Sequence, residues 1–69
     1  MIKVRLLTDG DYDAMEKVSL GTIFNADNTT YPGLALILRQ DLISAGADGD
    51  LFTVESLSFY VGSEVEIVD

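Results

Sequence analysis

Turn-forming residues interrupt this chain so often that only short strands fit between them. Clusters of Asp, Gly and Asn, joined in places by Ser and Thr, fall at residues 8–13, 25–30, 47–50 and 62–64. Glycine supplies turn conformations closed to other residues, and Asp and Asn side chains bond their own backbone. The stretches between them follow strand rules. Ile2, Val4 and Leu6 alternate with Lys3 and Arg5, which predicts a strand over residues 2–7 with one buried face. Residues 18–24 repeat the pattern, with Val18, Leu20, Thr22 and Phe24 on one side and Gly21 marking a bulge or bend. Residues 31–38 form a third strand, with Pro32 confined to its start, and the unbroken apolar run 34–38 predicts cover on both faces.

Residues 41–46 fit one helical turn, with Asp41 as N-cap and Gly46 as stop, and a continuous strand through here is the alternative. Asp48 and Gly49 then signal a tight hairpin turn between that segment and a strand over residues 51–54. Strands over residues 57–61 and 65–68 come next, separated by a short break at Gly62, Ser63 and Glu64. The sum is an all-β domain spanning residues 1–69, a small barrel or pair of packed sheets of five to six short strands with at most one helical turn.

A domain of 69 residues buries only about 60 % of the surface its unfolded chain exposes. Chains of this size usually add disulfides, a metal or self-association. Cysteine and histidine are both absent, which excludes disulfides, thiolate sites, thiol catalysis and the commonest general base and metal ligand. Self-association, through an edge strand, is the remaining route. No cofactor is expected. No apolar run reaches membrane-spanning length, and the N-terminal residues carry no charged-then-apolar signal, so a cytoplasmic location is expected.

Four bases face twelve acids, a net charge of −8, and the residues after Leu34 hold one base against seven acids. Phosphate backbones are repelled, so direct nucleic-acid binding is not expected. The acidity serves either solubility or contact with a basic protein surface.

The long acidic loop at residues 8–17, and the short break at Gly62, Ser63 and Glu64 before a terminal strand, resemble SH3-like barrels. The opening run from Lys3 through Gly10 and the central Gly46, Ala47 and Asp48 are similar to small acidic proteins of tailed bacteriophages. That resemblance implies host takeover, counter-defence or virion assembly, and it assigns no catalytic residue. Signalling SH3 domains hold proline-rich ligands between clustered aromatics that include tryptophan. This chain has no tryptophan, and Tyr12, Phe24, Tyr31, Phe52, Phe59 and Tyr60 are scattered through it.

Candidate chemistry is sparse. Asp9, Asp11 and Asp13 alternate like the opening of an EF-hand loop, but Ala14 and Leu20 stand where glycine and glutamate are required. Asp48 and Asp50 read as turn residues rather than a glycosidase pair. No serine has a histidine or a lysine motif to activate it, so no enzymatic activity is expected. The partner-binding candidates are therefore Asp48, Asp50 and Glu55 as one acidic patch, and Asp9, Asp11 and Asp13 around Tyr12 as a competing one. Tyr60 points away from the face of Leu57, Phe59 and Val61 and is the candidate aromatic anchor. The leading expectation is a non-enzymatic phage-type accessory protein that modulates or inhibits a host protein with a basic surface. A virion or assembly subunit and a ligand-sequestering oligomer are the alternatives.

Overall fold

Alternating apolar residues place themselves on one side of each strand, and the computed structural model builds its core from those sides. It describes every residue except Thr30, Phe52 and Asp69. The strands are β1 (Ile2–Leu6), β2 (Ile23–Ala26), β3 (Leu34–Leu38), β4 (Ser56–Tyr60) and β5 (Val65–Ile67), with one helix, α1 (Arg39–Ser44), between β3 and β4. Two single 3₁₀ turns, Asp13–Met15 and Gly49–Leu51, lie in the longer connections. The fold is all-β, as the alternation predicts.

One antiparallel sheet has the order β2-β1-β5 and the other pairs β3 with β4. An isolated bridge between Asp27 and Leu36 carries β2 into β3, through amide-to-carbonyl bonds of 3.0 and 2.8 Å. The strands therefore adjoin one another as β5-β1-β2-β3-β4. A second bridge, Val61 to Val65, joins the end of β4 to the start of β5 across a tight turn. The inner faces carry Val4, Leu6, Phe24, Ala26, Ala35, Ile37, Phe59 and Val65, all buried. Met15, Val18 and Leu42 close the ends of this core from the β1–β2 loop and from α1.

Several sequence expectations shift. Residues 18–22 are not strand: the Val18 amide caps the first 3₁₀ turn on the Met15 carbonyl, and Leu20 is exposed. The Gly21 amide and the Thr22 carbonyl both bond Leu6, so pairing starts only there. β2 instead runs on through Asn25 and Ala26, into the segment expected to be a turn. Residues 31–33 form the turn before β3 and leave Tyr31 exposed. β3 is not covered on both faces: Ala35 and Ile37 are buried, Leu34 and Leu36 half-buried, and Leu38 exposed.

The helix starts earlier than expected, at Arg39, with Leu38 in the N-cap position and Asp41 inside the first turn, where its charge suits the helix dipole. Gly46 stops it, at a φ of +112° that disfavours any side chain. Asp48 and Gly49 do not form a hairpin turn. The Asp48 carboxylate accepts the Asp50 amide at 3.0 Å, and the chain enters a 3₁₀ turn, so residues 51–54 form no strand among the described residues. The expectation for Phe52 lies outside the described residues.

Asp27 closes the β2 end with a local device. Its carboxylate accepts the Thr29 hydroxyl at 2.7 Å and the Thr29 amide at 2.9 Å, which hold its pKa below the ordinary aspartate value. A carboxyl with a lowered folded-state pKa contributes stability above the ordinary aspartate range and loses it as pH falls through the lowered value. Thr29→Ala is therefore expected to be less stable than the parent at neutral pH. The gap narrows in acid, as thermal melts across pH will read.

Candidate functional site

The β1–β2 loop is long, so it needs internal bonds to hold a shape. Leu7 and Thr8 both donate to the Glu64 carbonyl, tying its start to the β4–β5 turn. The Asp9 carboxylate then accepts the Asp11 amide at 2.9 Å, and Gly10 and Asp11 take the left-handed conformation, with φ of +67° and +61°. Glycine is favoured at position 10 for a further reason. A Cβ there would stand 3.0 Å from the Phe59 ring. This tight turn drives Tyr12 inward, where its ring meets Phe59 edge-on at 5.4 Å between centroids and an interplanar angle of 72°.

The Tyr12 hydroxyl donates to the Ser58 carbonyl at 2.9 Å. In β4 the residues 57 and 59 turn their backbone groups to β3, so Ser58 and Tyr60 turn theirs to the outer edge. Tyr12 thus satisfies a carbonyl that no strand reaches. Glu64 covers Tyr60, its carboxylate accepting the Tyr60 amide at 2.7 Å and its amide donating to the Tyr60 carbonyl at 2.9 Å. Tyr12→Phe is expected to cost about 1 kcal/mol, the usual net worth of one such bond. Urea unfolding measures it.

The two acidic loops meet. The Asp48 amide donates to the Ala14 carbonyl at 2.9 Å, which sets the turn Gly49–Leu51 beside the turn Asp13–Met15. Two patches that compete as separate candidates in the sequence are therefore neighbours on one surface. A groove of about 320 Å³ is lined by Asp11, Tyr12, Asp13, Leu51, Val54 and Leu57. A second, of about 550 Å³, is lined by Asp13, Glu16, Lys17, Asp48 and Leu51. The two meet at Asp13, Ala14 and Leu51. Asp11, Asp13, Glu16, Asp48 and Asp50 lie at this surface without a salt-bridge partner among the described residues, where the ion pair is elsewhere, between Arg5 and Glu66.

The other candidates separate from this surface. Glu55 lies with Leu38, Arg39 and Gln40 at the start of β4, its carbonyl accepting the Arg39 amide at 2.8 Å. Tyr60 sits at the far end of the strand, about 13 Å along at roughly 3.3 Å per residue, and is exposed. Tyr12 is half-buried and works chiefly as a brace, with part of its surface lining the groove. Three residues of the surface carry no signal of their own in the sequence. Glu16 is one acid among twelve. Leu51 and Val54 fall in the segment expected to be strand, although both are exposed beside the acids. Their one warning in the sequence is that residues 51–54 do not alternate.

Among the described residues no three carboxylates come together in a metal-holding arrangement, and no helix is long and apolar enough to cross a membrane. The surface offers negative potential and apolar relief, the two properties that complement a basic protein face. No protein-family model, curated protein or solved structure matches the chain.

Proposed function

We propose that this chain is a non-enzymatic acidic binding protein of the phage-accessory kind, which modulates or inhibits a host protein by occupying a basic surface on it. The observation that carries this reading is the meeting of two loops through the Asp48 to Ala14 bond. It gathers Asp11, Asp13, Glu16 and Asp48, with one base, Lys17, around two adjoining grooves, and sets Asp50 in the turn beside them, where scattered acids would serve solubility alone.

Potentials of one sign concentrated on one surface steer an oppositely charged partner and raise its association rate. A host factor that handles nucleic acid presents a basic groove of the required sign. The strand order β5-β1-β2-β3-β4, with its long loop after β1 and tight turn before β5, supports an SH3-like barrel as the scaffold. In that scaffold the binding surface is formed by loops rather than by an aromatic groove for proline-rich ligands. Phe24 and Phe59 are buried, and Tyr31 and Tyr60 lie outside the acidic grooves.

The test is to replace Asp11, Asp13, Asp48 and Asp50 together by Asn and to compare capture of a basic bacterial protein with that of the parent.

A further inference from the structure

The groove between the β1–β2 loop and the approach to β4 leaves apolar side chains in water beside acids. Leu51 is 55 % exposed and Val54 50 %, and Leu57 and Tyr12 border the same groove. Asp11 and Asp13 line it too, exposed and without a salt-bridge partner among the described residues. We propose, resting on the basic-partner reading above, that this groove takes one large apolar side chain from a segment of the partner protein in which lysines or arginines flank that side chain.

Charge complementarity selects the flanking residues. The adjoining groove shares Asp13, Ala14 and Leu51, and it carries Asp13, Glu16 and Asp48 against one base, Lys17. A segment that seats an apolar side chain in the first groove therefore sets its neighbours against an excess of carboxylates. An acidic segment with the same apolar residue is repelled. Lysine and arginine suit such a border, because their carbon stems cover apolar surface while their charges stay in water. Arg39 reaches the nearby turn, donating to the Gly49 carbonyl at 3.3 Å, but it lines neither groove.

Size limits the anchor to a single side chain. The groove holds about 320 Å³, at the small end of the roughly 300–1,000 Å³ of ligand pockets. That is room for one leucine-sized or aromatic side chain and the backbone beside it, rather than for a folded face. Covering Leu51 and Val54 supplies the apolar share of the binding, and the carboxylates supply the steering. Salt screens the charges and leaves apolar burial in place, so the two shares separate across ionic strength.

Amide chemical-shift titrations of the intact chain with two capped pentapeptides test this. One peptide has leucine between two pairs of lysines, and the other has glycine in its place. The expected result is about tenfold tighter binding of the leucine peptide, from burial of its side chain, with its additional shifts on residues 12–14, 51, 54 and 57. Raising the salt should weaken both peptides and leave their ratio unchanged. Leu51→Ser and Val54→Ser combined should erase the ratio, with the glycine peptide's affinity and the circular dichroism those of the parent, since both positions are exposed. Equal binding of the two peptides overturns the proposal and leaves the basic-partner reading standing. So does a ratio that survives the double substitution, or leucine-specific shifts that fall outside the groove. Binding of neither peptide up to millimolar concentration overturns both.

Discussion

Phe59→Ala is expected to remove a large part of the folding stability of this chain. Among the described residues Phe59 is the largest fully buried side chain, on the inner face of β4 opposite Ala35. It also supports the edge of the Tyr12 ring and the close approach of Gly10. Removing a buried phenylalanine costs about 3–5 kcal/mol, from lost burial and from the cavity left behind. A domain of this length has roughly 3–10 kcal/mol in total, and without cysteine it has no disulfide to add to that. The loss therefore takes from about a third of the margin to all of it. Urea titration followed by circular dichroism gives the result directly. Phe59→Leu, which keeps most of the apolar volume, is expected to stay folded.

The second large effect concerns association rather than folding. With Asp11, Asp13, Asp48 and Asp50 all changed to Asn, association with a basic partner is expected to slow by about tenfold or more, and its salt dependence to flatten. The fold survives for reasons particular to each position. Asp48→Asn keeps a side-chain carbonyl oxygen for the residue 50 amide, the bond that the Asp48 carboxylate makes now. Position 11 has a φ of +61°, a conformation that asparagine tolerates better than most residues. Exposed sites of this kind usually shift stability by under about 0.5 kcal/mol each. Stopped-flow association across ionic strength separates the steering effect from any loss of fold.

How far this surface is legible in the sequence depends on the range of the interactions that build it. Ile2, Val4 and Leu6 announce β1 because alternation is local, and Tyr60 is placed outward by the same rule. Gly46 announces the helix stop because its requirement is local too. The start of β2 is not legible, since Val18 and Leu20 alternate as well as any strand. Only the bonds of Gly21 and Thr22 to Leu6 reveal where pairing begins. Asp48 and Gly49 carry a true turn signal but lead into a 3₁₀ turn, because the Asp48 amide is held by the Ala14 carbonyl and the chain does not return as a strand. That same contact, between residues far apart in sequence, is what unites the acidic patches. Composition supplies the sign of the charge, and tertiary structure supplies its concentration.

The union of the two acidic loops is tested most directly by affinity capture with the immobilised protein. A bacterial lysate is passed over the parent and over the Asp11, Asp13, Asp48 and Asp50 to Asn variant, each at low and at high salt. The parent is predicted to retain a basic protein at low salt and release it at high salt, and the variant to retain none. Equal retention by both proteins, unchanged by salt, would contradict the account.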